Sequence, residues 1–171
     1  YRSCLLNLNM RPQKISDSKL LDKMLCVFRT NGFEGASMQD LADATGLKKP
    51  SLYHRFPGGK EEMVFAVLDK VAIDINDNII NKLINDKLPI DDRINSAIDE
   101  INLLYDGGIT PCLFRTLLLG PRLSVFSEKL EIGIDLWIGA FVQCGLDAGF
   151  IEVEAQRKAT QAIVMIQGSL V

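Results

Sequence analysis

The sequence predicts an all-α protein in which a small three-helix unit precedes a larger helical unit. Apolar side chains recur every three or four residues along most of the 171-residue chain, which is the period of one helix face. Gly and Pro residues interrupt that period at intervals and so divide the chain into separate helices. Hydrophobic residues make up 47% of the sequence and charged residues 24%, a balance typical of a globular protein and not of a disordered chain.

The first two helices are short and amphipathic. The first is predicted over residues 17–31, where apolar side chains three and four apart form one face. The second is predicted over residues 37–44 and begins at Ser37, whose hydroxyl can cap the free backbone N–H groups of a helix start. Asp40, three residues later, completes an acidic form of the capping box, and this pairing predicts where the second helix begins.

A tight turn leads to a third helix over residues 49–56. Gly46 takes the positive φ of that turn without steric cost, and Pro50 lies in the first helical turn, where its missing N–H is harmless. Leu52 and Phe56 are four residues apart and can pack inward together. The outer face that remains is rich in cations and hydroxyl groups. It consists of Lys48, Lys49, Ser51, Tyr53, His54 and Arg55.

Five further helices are predicted in the rest of the chain, with breaks at Pro and Gly residues. They cover residues 59–85, 89–105, 112–119, 123–149 and 152–171. The helix over 59–85 carries Glu61 and Glu62 in its first turn, where negative charge complements the helix dipole. It begins beside the three short helices and extends far beyond them. We therefore expect it to connect the small unit mechanically to the larger one.

Charge is unevenly divided along the chain, which carries a net charge of −3 as a whole. Residues 11–60 hold nine Lys or Arg against five Asp or Glu, whereas residues 61–171 hold nine against seventeen. The first part is therefore basic and the second strongly acidic. A basic part on an acidic remainder is expected when only that part meets phosphate groups.

Several classes of function receive no support from the sequence. The cysteines lie far apart without a C-x-x-C pair, and His54 is the single histidine, so we predict no metal site and no cofactor. No nucleophile elbow or catalytic metal motif occurs, which argues against an enzyme. No apolar run approaches the roughly 18 residues of a membrane span. Isolated cysteines fit a reducing compartment, and we expect the protein to act in the cytoplasm, away from the membrane.

The stretch from Ser37 to Lys60 reads SMQDLADATGLKKPSLYHRFPGGK and resembles the helix-turn-helix of the tetracycline-repressor (TetR) family. The resemblance is carried by an aromatic and basic YHRF after G-x-x-x-P-S-L, followed by GGKEE at the start of a long helix. It covers roughly residues 15–68 and is architectural beyond them. It implies a helix-turn-helix DNA-binding domain over residues 10–60 and a helical ligand-binding and dimerisation domain over residues 61–171.

By this resemblance the contacts to double-stranded DNA fall on Ser37, Lys48, Lys49, Pro50, Ser51, Tyr53, His54 and Lys60. The residues from Lys48 to Ser51 are expected nearest the base edges, because lysine can donate to guanine and a proline ring can touch a thymine methyl group. Tyr53, His54 and Lys60 are expected to hold phosphates and fix the register. Tyr53 could instead pack structurally.

The resemblance also implies a ligand-responsive transcriptional repressor. It would bind a palindromic operator as a homodimer, formed through the seventh and eighth helices, and a small apolar or aromatic effector would release it. The expected pocket residues, any of which could instead be ordinary core, are Phe65, Leu104, Phe114, Leu118, Phe126, Trp137 and Phe141. Arg115, in the apolar sixth helix, could reach solvent or be a buried partner for an acid or a ligand. The alternative function is a helical interaction protein that uses the same motif without DNA.

The two ends of the sequence carry separate expectations. Residues 1–9 do not continue the pattern that follows, and Met10 looks like a natural start, so we interpret these residues either as an artificial addition or as a genuine extension. Arg11 and Lys14 form a small basic arm that could lie along DNA. The eighth helix ends in apolar residues without a cap, so we expect the natural chain to continue past Val171.

Overall fold

A computed structural model describes residues 15–170, and this part of the chain folds into eight α-helices without a strand. The helices are α1 (Asp17–Gly35), α2 (Met38–Thr45), α3 (Lys49–Arg55), α4 (59–83), α5 (Ile90–Leu104), α6 (Leu113–Leu118), α7 (Leu123–Asp147) and α8 (Glu152–Gly168). The all-α prediction is confirmed, and each predicted helix has a counterpart within a few residues. The expectations about residues 1–9, Arg11, Lys14 and the end of the chain lie outside the described residues.

α1 continues beyond its predicted end at Gly32. Ser16 caps the start of this helix by accepting a hydrogen bond from the backbone N–H of Lys19, at 3.4 Å. At Gly32 the φ angle is +67°, which kinks the helix, and a further turn continues to Gly35. Glycine suits this position because a side chain strains the left-handed region of backbone conformation. The kink directs Phe33 into the core, where it is buried.

α4 is one long helix with a wider turn in its second half. It is α-helical over Gly59–Ile75, forms a π-turn over Asn76–Ile80 and closes with a short α-helical segment at Asn81–Leu83. The π-turn adds one residue to the helical repeat, and the neighbours Ile79 and Ile80 are both buried. The prediction of a single long helix starting at residue 59 is confirmed.

One apolar core extends from the first three helices into the larger unit. Phe28 of α1, Leu41 of α2 and Leu52 of α3 are fully buried, whereas Leu47 and Phe56 lie half-buried at the edge of this part. The same cluster of buried side chains continues through α4 into α6 and α7. The helix-turn-helix unit is therefore packed directly on the larger unit over a shared core.

The two C-terminal helices, α7 and α8, share the most extensive helix pairing in the described chain. Gly145 permits it, because a Cβ built there would lie only 3.1 Å from the Cβ of Ala155 on α8. Gly133 admits the ring of Phe114 from α6, which an added Cβ would approach to 2.5 Å. Gly139 lies between them along α7, and a Cβ added there would have no described atom within 4 Å.

The groove between α5 and α8 is less completely filled. Ala97 of α5 is buried, but Ile94 and Ile98 on the same helix remain exposed along this groove. Of the helices between residues 15 and 170, none is both long enough and apolar enough to cross a bilayer.

Candidate DNA-binding surface and internal cavity

The start of α2 is fixed by a complete capping box. The Ser37 hydroxyl accepts a hydrogen bond from the backbone N–H of Asp40 at 3.1 Å, and the Asp40 carboxylate accepts one from the N–H of Ser37 at 2.9 Å. Hydrogen bonding of the carboxylate to the Ser37 side chain, and next to the Ser37 backbone N–H, lowers the pKa of Asp40. Both sequence-predicted partners therefore occupy their expected positions, and Ser37 is exposed at the surface.

The predicted outer face of α3 is a continuous exposed surface. Gly46 forms the turn before it with a φ angle of +70°, and Leu52 anchors the helix with a fully buried side chain. Lys48 begins the helix. Pro50 lies in its first turn, where a backbone N–H would have no partner within the helix. The exposed residues of this surface are Lys48, Lys49, Pro50, Ser51, Tyr53 and His54. We call these six residues the α3 face.

Arg55 does not belong to the α3 face, although the sequence predicted it there. Its guanidinium donates to the Asp17 carboxylate at 3.3 Å and to the carbonyl oxygen of Ile15 at 3.5 Å. Its side chain is only 20% exposed. Arg55 therefore fastens the end of α3 to the start of α1, because its long side chain reaches back across the unit.

Lys60 lies behind the α3 face, at the start of α4. Its ammonium group donates to the carbonyl oxygen of Ala36 at 2.9 Å and lies 4.4 Å from the centre of the Phe33 ring. Gly59 beside it has a φ angle of +70°, and a Cβ built there would lie 3.7 Å from the ring of Tyr53. Tyr53 is nevertheless 49% exposed, so its ring rests on the glycine while much of the side chain faces solvent.

Arg122 joins the larger unit to the back of the helix-turn-helix unit. Its guanidinium pairs with Glu61 of α4 and, at 3.5 Å, with Glu34 of α1. Behind it, the rings of Phe33 and Phe126 meet edge to face with 5.3 Å between their centres. Nothing in the sequence pattern singles out Arg122, because its partners are more than 60 residues away in the chain.

An apolar cavity of about 380 Å³ lies between α4, α6, α7 and α8. This volume is within the range of about 300–1,000 Å³ that is usual for small-molecule sites. The end of α1 also reaches it. Its apolar walls are formed by Val71, Ile75, Cys112, Leu113, Phe114, Leu118, Leu119, Ile134, Trp137, Ile163 and Ile166.

Four polar side chains reach the same cavity: Arg29, Tyr105, Arg115 and Gln167. Tyr105 is buried and its hydroxyl donates to the sulfur of Cys112 at 3.5 Å. Burial, and next the neighbouring Cys112, raise the pKa of Tyr105 far above its ordinary value, so the phenol stays neutral and can donate. Within residues 15–170, no group of three His, Cys, Asp or Glu side chains is placed to hold a metal ion.

Comparison with known families identifies the helix-turn-helix unit. Residues 20–67 match the sequence profile of the family described as bacterial regulatory proteins, tetR family. The helix-turn-helix unit belongs to the TetR family. The matched residues run from α1 into the first half of α4 and include the whole α3 face, and a TetR-family protein of this kind is a transcriptional regulator.

Individual relatives agree with this assignment. The chain is 25% identical over 166 residues to the HTH-type transcriptional regulator YxaF of Bacillus subtilis (strain 168), covering 91% of this chain and 83% of that protein. It is 39% identical over 67 residues to the HTH-type transcriptional repressor ComR of Escherichia coli (strain K12), covering 39% of this chain and 31% of that protein. A crystal structure of a TetR transcriptional regulator from Legionella pneumophila has the same fold. It matches with a TM-score of 0.77 and 22% identity, over 92% of this chain and 87% of that one.

The cavity includes three of the seven residues that were expected to form a pocket. Phe114, Leu118 and Trp137 line it. Phe65 and Phe126 do not, because Phe126 is fully buried and its ring packs edge to face against Phe65 at 5.4 Å. Phe126 belongs to the core behind Arg122, whereas the half-buried Phe65 lines a separate cavity of about 430 Å³ beside Phe114.

The remaining two expected residues also lie outside the cavity. Phe141 stacks on Trp137 with 6.2 Å between ring centres and faces the groove between α5 and α8. Leu104 is half-buried, and its carbonyl oxygen accepts a hydrogen bond from Arg29. Apolar spacing identified the inward faces of these helices. It does not distinguish a side chain that packs against another side chain from one that lines a cavity.

Proposed function

We propose that this TetR-family regulator is a ligand-responsive repressor that binds a palindromic operator as a homodimer and is released by a small apolar or aromatic effector. The observation that carries the proposal is a single helix, α4, with one end beside the α3 face and its middle in the cavity wall. In this reading, residues 10–60 form the DNA-binding domain and residues 61–171 the effector and dimerisation domain. Such a repressor acts in the cytoplasm.

The α3 face supplies the proposed contacts to the major groove. Lys48, Lys49, Pro50 and Ser51 stand at the start of α3, which is the end of a recognition helix that meets base edges. Tyr53 and His54, one turn further on, hold phosphates of the DNA backbone. Exposure of all six residues supports these roles, since none has to leave the core to reach DNA.

Ser37 and Lys60 form the second part of the proposed DNA contact. The carbonyl group that binds Lys60 belongs to Ala36, the residue immediately before Ser37. The ammonium charge therefore lies next to the free N–H groups at the start of α2, where an anion is favoured. We propose that one phosphate of the operator binds there.

The proposed homodimer forms through α7 and α8. A twofold operator requires two recognition helices about 34–36 Å apart, and one chain carries a single one. Exposed apolar side chains on these two helices supply the surface: Ile132, Leu136 and Leu146 on α7, and Val153, Val164 and Met165 on α8. Trp137 of α7 is buried beside the cavity, which supports its place in the proposed effector site.

The proposed switch operates through α4. Val71 and Ile75 present this helix to the cavity, and Ile75 is 15 residues from Lys60, or about 22 Å along the helix axis. An effector that enlarges the cavity would displace α4 and separate the two α3 faces. By linkage, the operator must weaken effector binding by the same factor as the effector weakens operator binding.

An electrophoretic shift with DNA from upstream of the protein's own gene tests the proposal directly. We expect a shifted complex that contains two protein chains. This complex should persist when an excess of unrelated competitor DNA is added. Sedimentation of the free protein at micromolar concentration should give a dimer. Absence of any shift, together with capture of a helical protein partner, would favour the interaction protein instead.

A further inference from the structure

We propose that the cavity takes an anionic ligand, an apolar aromatic body bearing a carboxylate or a sulfonate, and that Arg29 and Arg115 bind the anionic group. This inference deepens the proposed function, because it names the chemical class of the effector. It rests on the charges around the cavity and on the partners of the arginines in the described chain.

The charge around the cavity is entirely positive. Arg29 enters from α1 and Arg115 from α6, and none of the described residues that line the cavity is Asp or Glu. Each guanidinium group carries a positive charge. With a neutral ligand, these charges would be offset by carbonyl oxygens and by the Tyr105 ring, whose centre lies 5.8 Å from Cζ of Arg29, whereas an anionic ligand would add an opposite charge.

The two cavity arginines differ from the other arginines between residues 15 and 170. Arg55, Arg93, Arg122 and Arg157 each form an ion pair with an Asp or Glu side chain. Arg29 and Arg115 form none with a described carboxylate. The two guanidinium groups that form no ion pair with a carboxylate in the described chain are therefore the two that line this cavity.

The hydrogen bonds of these arginines are also incomplete. Arg29 donates from Nη1 to the carbonyl oxygen of Leu104 at 3.4 Å, and its Nε is shielded from solvent without a described partner. Arg115 donates from Nη1 to the carbonyl oxygen of Leu170 at 3.2 Å. Arginine presents a planar fork of five donors that matches a carboxylate, and each of these two side chains uses only one donor within the described chain.

The rest of the cavity selects the body of the ligand. Phe114, Leu118 and Trp137 offer flat or branched apolar surfaces, and the neutral Tyr105 hydroxyl can orient one further polar atom. Arg29 belongs to α1, within the DNA-binding unit, seven residues before the Ala36 carbonyl that holds Lys60. The anionic group of the ligand is thus bound partly by the helix-turn-helix unit, which must change its position when the operator is released.

A pair of fluorescent probes tests the inference. We would compare 8-anilinonaphthalene-1-sulfonate with N-phenyl-1-naphthylamine, which has the same aromatic body without the sulfonate. Energy transfer from Trp137, the single tryptophan, reports binding. We expect the anionic probe to bind at least about tenfold more tightly than the neutral one, a difference of about 1.4 kcal/mol. Failure of the anionic probe to bind, or equal binding of both, would overturn the inference.

Variants locate the binding site of the charge. Arg29→Met and Arg115→Met should each weaken the anionic probe about tenfold and leave the neutral probe unchanged, whereas Arg157→Met, on the outer surface of α8, should change neither. Thermal unfolding of each variant checks its fold, and Arg29→Lys, which keeps the charge, should recover part of the affinity. Equal weakening of both probes by the two cavity variants would contradict a role in recognising charge.

The release of operator separates this inference from the proposed function. If the anionic probe binds through both arginines but leaves operator affinity unchanged, the anion site stands and the proposed release mechanism fails. If the neutral probe alone weakens operator binding, the release mechanism stands and the anion site is wrong.

Discussion

The ammonium group of Lys60 lies 2.9 Å from the carbonyl oxygen of Ala36, at the point where the first turn of α4 meets the start of α2. Ala36 directly precedes Ser37, which caps α2 through Asp40. The contact therefore places a positive charge beside the positive end of a helix dipole. The carbonyl oxygen of Ala36 and the nearby Asp40 carboxylate offset part of this positive charge, and a DNA phosphate bound here, as we propose, would offset more of it.

Replacing Lys60 with Met should weaken binding to every DNA sequence about equally. The variant keeps an unbranched apolar stem beside Phe33 but removes the ammonium group that we propose binds a phosphate. We expect the slope of log K against log salt concentration to fall by about one unit, measured on operator and random DNA. Lys87→Met, in the exposed loop after α4, is the matched control and should change neither slope. A loss confined to the operator would assign Lys60 to base recognition.

Replacing Lys49 with Ala should instead relax sequence preference. Lys49 is exposed at the start of α3, where a lysine can donate to a guanine. We expect a loss of about 1–3 kcal/mol on the operator and little on random DNA, with the preference reduced at one base position. A set of operators substituted one base pair at a time measures this. The same loss on all DNA would make Lys49 a phosphate contact.

The capping box predicts a specific acid sensitivity. Hydrogen bonds from Ser37 hold the pKa of Asp40 below its ordinary value, so its ionised form stabilises the folded state above about pH 4. That stabilisation is lost as the pH falls through the lowered pKa of the folded state. The free energies of urea unfolding of the protein and of Asp40→Asn should therefore differ at pH 7, and the difference should shrink progressively as the pH falls below about 4. If the difference in unfolding free energy between the two proteins stays constant with pH, the stabilisation does not come from the ionised Asp40 carboxylate.

Replacing Gly133 with Ala should reduce the cavity without unfolding the protein. The added methyl group would lie 2.5 Å from the present position of the Phe114 ring, and that ring borders the cavity into which it can shift. We expect weaker binding of aromatic probes, with a nearly unchanged melting temperature because the gain in helix propensity offsets the shift. Gly139→Ala, which meets no described atom within 4 Å, should leave probe affinity unchanged. Equal effects of the two variants on probe affinity would show that the position of the Phe114 ring does not determine probe binding.

Charging the exposed apolar surface of α7 should separate the proposed dimer. Leu136 is 51% exposed, and Leu136→Glu places an unpaired carboxylate on the apolar surface that the proposed dimer would bury. We expect a folded monomer in sedimentation that no longer shifts operator DNA. Leu103→Glu, on the exposed side of α5, is the control and should remain dimeric. If Leu136→Glu remains dimeric, the interface lies elsewhere on the protein.

The residues of the helix-turn-helix could be predicted because their determining contacts are local. Ser37 and Asp40 cap one another across three residues, and Gly46 makes its turn through its own backbone freedom. Leu52 is buried and its neighbours are exposed because helical geometry alone separates the two sides of α3. These features depend on spacings of four residues or fewer, which a sequence displays directly.

Only the tertiary structure decided which inward-facing residues meet a cavity and which cations remain without a carboxylate. Phe114 and Phe126 follow the same helical spacing, yet one borders the cavity and the other packs against Phe33. Arg55 and Arg29 both lie in the basic N-terminal part, yet Arg55 reaches Asp17 while Arg29 enters the cavity. These outcomes depend on the distances between helices far apart in the chain, and hydrophobic burial, which drives their packing, is non-directional and leaves such pairings unspecified in any local pattern.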